Sequence, residues 1–173
     1  MSIITGRGDS GQTDLLFGKR IAKSSARINA LGDVDELNSA LGLARTMESI
    51  PERIAAIDDI QAMLVALMGQ IATLPEDQER YVKQKFSCLT MKEVETIVER
   101  SHQLEAAGVK FVDWARPGAE GSQARAALDV AKAVSRRAER SLWRLHESGQ
   151  PVAEAHLLFL NRLADYLWIL ARA

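Results

Sequence analysis

Residues 122–147, SQARAALDVAKAVSRRAERSLWRLHE, decide the fold. The run is rich in alanine, leucine and arginine, which favour helix. Ala127, Leu128, Ala131, Val134, Ala138, Leu142 and Leu145 recur along it at spacings of three and four. On a helix of about 3.6 residues per turn this makes one apolar stripe and predicts a helix from Ser122 to Glu147 with one buried side. Beside the stripe, Lys132, Arg136, Glu139 and Arg140 share a face that holds three cations and one anion. Arg136 and Arg140, one turn apart, repel by roughly a few tenths of a kcal/mol, which Glu139 only partly relieves. A bound anion would restore the balance. A solvated face laced with salt bridges is the alternative for a charge run of this kind.

Gly149 and Pro151 close the segment. The chain from Val152 to Arg172 is then apolar almost all round through Leu157, Leu158, Leu160, Leu163, Leu167, Ile169 and Leu170, which predicts a central helix or one packed against another subunit. Asn161, Arg162 and Asp165 interrupt it, and such groups need partners, either in a buried network or in a site. Upstream, Val94, Ile97, Val98 and Leu104 mark a helix from Lys92 to about Ala107, closed by Gly108. Another runs from Glu52 to Leu74 between Pro51 and Pro75, followed by a charged connector. The first is expected to begin at Asp33, read as an N-cap with Glu36 completing a capping-box-like start, and to end near Ser49. Five helices with short connections point to an all-α, up-and-down five-helix bundle over residues 33–172, within one domain spanning 1–173.

Residues 1–31 read as a glycine-rich loop region, with Gly6, Gly8, Gly11 and Gly18 among polar residues. Gly6 to Gly11 satisfies the G-x-G-x-x-G pattern, but no strand precedes it and no apolar-periodic helix follows directly, so a dinucleotide-binding fold is not expected. The bare backbone N–H groups, with Thr5, Ser10, Thr13, Lys19, Lys23 and Arg27, still form a donor surface suited to an anion. A polar terminal tail is the alternative. The Arg7-Gly8-Asp9 tripeptide is read as accidental, since no export signal accompanies it.

The chain has 173 residues with 47% hydrophobic and 26% charged, the balance of a globular helical protein. A net charge of −1 argues against nucleic-acid binding through a globally basic surface and leaves room for a local anion pocket. Met1-Ser2-Ile3-Ile4-Thr5-Gly6 lacks the pattern of a secretory leader, and no apolar run is expected to span a membrane. The single cysteine, Cys88, fits a reducing compartment, so a cytoplasmic protein is expected. Only Glu99-Arg100-Ser101-His102 has the Glu-x-x-His spacing of a di-metal carboxylate bundle, so that centre is not expected, and His102, His146 and His156 are read as surface or hydrogen-bonding residues.

Four stretches in order resemble the PduO-type ATP:cob(I)alamin adenosyltransferases nearly end to end. They are Thr5 to Thr13 with Gly18-Lys19-Arg20 and Lys23; Arg27 with Gly32-Asp33-Val34-Asp35-Glu36-Leu37-Asn38; Arg136-Arg137-Ala138-Glu139-Arg140; and Leu160-Asn161-Arg162-Leu163-Ala164-Asp165-Tyr166-Leu167. The resemblance implies a ferritin-like five-helix bundle assembled as a homotrimer with sites between subunits. There the cobalt of a reduced corrinoid attacks the ribose 5′ carbon of ATP, forming adenosylcobalamin and expelling triphosphate.

By matching position, the resemblance implies an ATP site of Thr5, Gly6, Gly8, Asp9, Gly11, Thr13, Lys23, Arg27, Arg136, Glu139, Arg140 and Asn161. Mg²⁺ enters with ATP rather than at a fixed protein site. It implies Trp114, Asp35 and Trp168 against the corrinoid, although Trp168 on so apolar a helix also reads as core. Asp35, Lys132 and Arg136 are implied at the reacting centre. A reductase and an enzyme accepting the product are the partners implied.

Three departures stand out. Lys132 replaces the arginine that pairs with the acidic residue matched by Asp35, and lysine keeps charge but not a bidentate fork. Trp114-Ala115-Arg116-Pro117-Gly118-Ala119 replaces the family's Phe-x-Leu-Pro-Gly-Gly loop, so an indole stands where phenylalanine crowds the lower corrin face. Ser10 stands where lysine is common. With Lys132, Trp114 and Ala119 changed, a nucleotide- or corrinoid-binding carrier or regulator is the alternative function, and a purely structural trimer a third.

Overall fold

The computed structural model describes residues 4–173. The reading of Met1, Ser2 and Ile3 lies outside the described residues. Five long helices build the bundle: α1 (Ala26–Met47), α2 (Pro51–Ile71), α4 (Met91–Ala106), α5 (Gln123–Glu147) and α6 (Glu154–Leu170). The all-α expectation therefore holds, with two additions. A six-residue helix, α3 (Gln78–Lys83), lies in the charged connector, and a hairpin of β1 (Gln12–Asp14) and β2 (Arg20–Ala22) lies in the glycine-rich head. Gln12 faces Ala22 and Asp14 faces Arg20 in that antiparallel pair.

The core follows the stripes. Ala30, Val34, Leu37, Leu41 and Ala44 of α1 are fully buried and meet Leu128, Ala131, Ala138 and Leu142 of α5. Contacts of Asp33 with Ser141 and of Glu36 with Arg137 set α1 antiparallel to α5. On α6, Phe159, Leu160, Leu163, Ala164 and Leu167 are fully buried between α4 and α5, so the helix is central within the chain.

The start of α1 corrects the sequence reading. The helix begins at Ala26, where Ser25 Oγ accepts from Ile28 N at 3.3 Å. Asp33, expected as the cap, lies two turns inside and accepts from Ser141, while Glu36 pairs with Arg137 instead of closing a capping box. The box forms at α4, where Thr90 and Glu93 cap each other's backbone. α2 bears on the membrane expectation without overturning it. By length and composition α2 could cross a bilayer. Here Ile57, Ile60, Leu64, Leu67 and Ile71 are core, while Asp58 pairs with Arg45 and Asp59 with Arg100.

Candidate active site

The hairpin gathers most of the expected phosphate-binding residues. Asp9 N donates to Gly6 O at 3.1 Å and Gly11 N to Gly8 O at 3.2 Å, so two turns follow each other. Gly11, at φ 80°, takes a left-handed conformation that side-chain-bearing residues avoid. Thr13 lies on β1, and Lys23 follows β2 with its N–H donating to Gly11 O at 2.9 Å. Its ammonium folds over Gly8 so closely that a Cβ there would sit 2.8 Å from Nζ. Among the described residues the Lys23 ammonium has no carboxylate partner. Arg7 and Arg20 instead share Asp14, which offsets one of the two charges at the far edge of the hairpin.

Arg27 is placed differently from its neighbours in sequence. It is buried in the first turn of α1, where Nη1 donates to Ile71 O at 2.7 Å and Nη2 to Gln150 Oε1 at 3.0 Å. Burial lowers the pKa of this guanidinium, with the charge of Glu76 opposing the shift. It caps Ile71 O, the last carbonyl of α2, reaches Thr73 O just beyond it, and borders a cavity of about 380 Å³ shared with His156. His156, expected at the surface or hydrogen-bonded, is buried with Nε2 unpartnered, and desolvation pulls its pKa down to about 4.

The seam between α5 and α6 carries the second group. Arg136 pairs with Asp165 at 3.1 Å, Asn161 Nδ2 donates to Glu139 Oε1 at 3.0 Å, and Arg140 donates to Arg136 O at 3.1 Å. Arg162 donates to Asn161 Oδ1 at 2.8 Å. Asn161, Arg162 and Asp165 thus belong to a polar strip along the seam. Arg137 turns away, reaching Asp33 at 3.5 Å and Glu36, and ties α5 to α1.

Arg136 also lines a cleft of about 690 Å³ with Phe111, Trp114, Lys132, Asp165 and Trp168. Trp114 is 83% exposed at its rim, and the Trp168 ring, only half-buried, meets Phe111 at 5.6 Å. Phe111 carried no sequence signal beyond being one apolar loop residue. Lys132 does not reach Asp35 within the chain. It pairs with buried Asp129 at 2.9 Å, whereas Asp35 is exposed on α1 with no hydrogen bond or ion pair among the described residues.

The two halves are apart. The hairpin is fastened to the end of α2 through Leu16 N and Ala72 O at 3.0 Å, and to the following turn by Lys19 and Glu76 at 3.4 Å. Among the described residues no hydrogen bond or ion pair joins it to Arg136, Glu139, Arg140 or Asn161. Nor do three or more His, Cys, Asp or Glu side chains gather there to hold a metal ion.

The family model described as cobalamin adenosyltransferase matches residues 3–173. The chain belongs to the cobalamin adenosyltransferase family. It is 37% identical over 171 residues to the cobalamin adenosyltransferase of Cupriavidus metallidurans, covering 98% of this chain and 86% of that one. Against the corrinoid adenosyltransferase PduO of Citrobacter freundii it is 32% identical over 178 residues, spanning all of this chain and half of that protein. A phenylalanine-to-alanine variant of the PduO-type ATP:corrinoid adenosyltransferase from Lactobacillus reuteri, complexed with cobalamin and ATP, superposes with a TM-score of 0.86. Its identity is 29%, over 99% of this chain and 92% of that one. For a member of this family, the basic seam and the aromatic cleft stand next to each other on one side of α5 and α6.

Proposed function

We propose that this chain is an ATP:corrinoid adenosyltransferase that moves the 5′-deoxyadenosyl group of ATP onto the cobalt of a reduced corrinoid. One observation carries the reading: Arg136 belongs to both the polar seam and the aromatic cleft, so an anion on the seam lies against a flat ligand in the cleft. The cobalt(I) electron pair forms the bond to the ribose 5′ carbon. The carbon–oxygen bond breaks, and its electron pair leaves with triphosphate. The protein supplies alignment and charge stabilisation, because the nucleophile is already potent.

Thr5, Gly6, Gly8, Asp9, Gly11, Thr13 and Lys23 hold the triphosphate from the hairpin, and Arg136 and Arg140 close on it. Glu139 and Asn161 hold the nucleotide or its Mg²⁺. Arginine suits the anion because it forks onto two oxygens and stays charged. Arg27 acts through the end of α2, beside the carbonyl to which the hairpin is fastened. Trp114 and Trp168 pack on the corrin, with Trp114 against its lower face. Because hairpin and seam are separate in one chain, the site is read as shared between copies of a homotrimer, where Lys132 faces Asp35 of the partner subunit. The setting is cytoplasmic, with a reductase supplying the reduced corrinoid and another enzyme taking the product. The pairing of Lys132 with Asp129 favours a second reading, a corrinoid carrier without turnover.

Complementation tests the shared site. Lys23→Ala and Arg136→Ala proteins, each inactive alone, should regain adenosylcobalamin formation when denatured and refolded together, because mixed trimers contain intact sites. Recovery supports the reading; failure of correctly folded mixtures to recover contradicts it.

A further inference from the structure

The lysine and the aromatic wall of the cleft are joined by two residues to which the site above gives no task. Asp129 is buried on α5, and its Oδ1 accepts from Lys132 Nζ at 2.9 Å. The same carboxylate takes both terminal nitrogens of Arg172, Nη1 at 3.3 Å and Nη2 at 3.2 Å. Arg172, just beyond α6, also donates to Trp168 O at 2.8 Å and lies 4.3 Å from the centre of the Trp168 ring. Trp168 then leans on Phe111. Asp129 and Arg172 also border a recess formed by Ala115, Gly118 and Ala119, in the loop that carries Trp114.

We propose that Asp129 and Arg172 form a clasp that positions Lys132 and Trp168 against the corrinoid, an inference that rests on the adenosyltransferase reading. One carboxylate held between two cations leaves one positive charge in excess. Lys132 lines the cleft and Asp129 does not, so the excess is available on the cleft side, where Asp35 of the partner subunit is read to meet it. Without Arg172, the desolvated carboxylate would draw Lys132 into a neutral pair and quench it. Without Asp129, the two cations would repel, and Arg172 would leave the tryptophan face. Arginine is required because its planar fork binds the carboxylate while its face stacks on the indole, which a lysine cannot do together. Both are positioning residues, acting through Lys132 and Trp168.

The test uses the full chain and the variants Arg172→Gln, Asp129→Asn, their double and Arg172→Lys. KM is measured for cob(I)alamin and Mg-ATP separately, and thermal unfolding is recorded for each. The clasp predicts a rise of about tenfold in corrinoid KM for either single variant. ATP KM should stay within about twofold, since the phosphate residues are untouched. The double should be no worse than the worse single, because the two act as one unit, and Arg172→Lys should recover only part of the loss. Unchanged corrinoid KM in folded variants overturns the clasp. So does an equal rise in both KM values with a fallen melting temperature, which marks a purely structural pair. A wild-type protein that binds ATP and corrinoid but makes no product overturns the enzyme reading instead, and the clasp is then read from corrinoid affinity by tryptophan quenching.

Discussion

Gly8→Ala separates the phosphate cradle from the fold. A Cβ at this position would stand 2.8 Å from Lys23 Nζ and 3.1 Å from its Cε, with the next atom, Gln12 O, at an ordinary 3.5 Å. To regain a contact of 3.4 Å the ammonium must retreat by about 0.6 Å, and it is the far end of a flexible side chain that moves. The backbone of Gly8 is not left-handed, so stability should change by less than about 1 kcal/mol. Function should change more. On the proposed reading, a cation displaced by part of an ångström no longer meets the phosphate oxygens, and misplacement of this size costs roughly 10- to 100-fold. The assay is ATP KM and corrinoid KM at matched protein stability, with Lys23→Ala and the double variant alongside. ATP KM should rise with corrinoid KM steady, and the double should add little to Lys23→Ala. Gly11→Ala is the contrast: at φ 80° with open space around it, it should cost about 1–2 kcal/mol of stability through backbone strain. If Gly8→Ala keeps wild-type ATP KM while Lys23→Ala raises it, the position of the ammonium over Gly8 has no part in binding.

Two further outcomes follow from buried groups. His156 has its pKa pulled down to about 4 by burial, below the usual value near 6.5. Its neutral form thus favours the fold above pH about 6.5, and as pH falls toward about 4 the unfolded chain takes up the proton first, removing up to about 3 kcal/mol. Urea melts at several pH values should show this slope, and His156→Gln should flatten it; an unchanged slope in the variant would assign it elsewhere. Arg27→Met should cost about 3 kcal/mol by stripping donors from the end of α2. Because the lost bonds run to Ile71 O, Thr73 O and Gln150, the loss should appear in unfolding rather than in ATP KM; the reverse result would place Arg27 on the triphosphate.

The sequence was most legible where periodicity was long. The stripes of α5 and α6 and the Arg136–Arg140 face were readable because many residues repeat one spacing, and packing then buries that spacing. The start of α1 was not, because Gly32 and Asp33 look like a boundary while the stabilising cap is one hydroxyl at Ser25. The three-residue strands and six-residue α3 are too short to establish a period. Arg27 reads as a phosphate ligand, and its burial against the end of α2 carries no local signal in the sequence. Asp129 and Arg172 meet across 43 positions of sequence, and no local pattern joins them.

The most direct measurement is anaerobic incubation of chemically reduced cob(I)alamin with Mg-ATP and this protein, followed by the visible spectrum and light sensitivity of the product, with Arg136→Ala in parallel. Arg136 and Asp165 are each about half exposed, so their pair contributes no more than about 1 kcal/mol and the variant should stay folded. A photolabile adenosyl product from the wild type, lost in the variant, is the result the account predicts. Saturable binding of ATP and corrinoid with no adenosyl product would contradict it and leave a carrier.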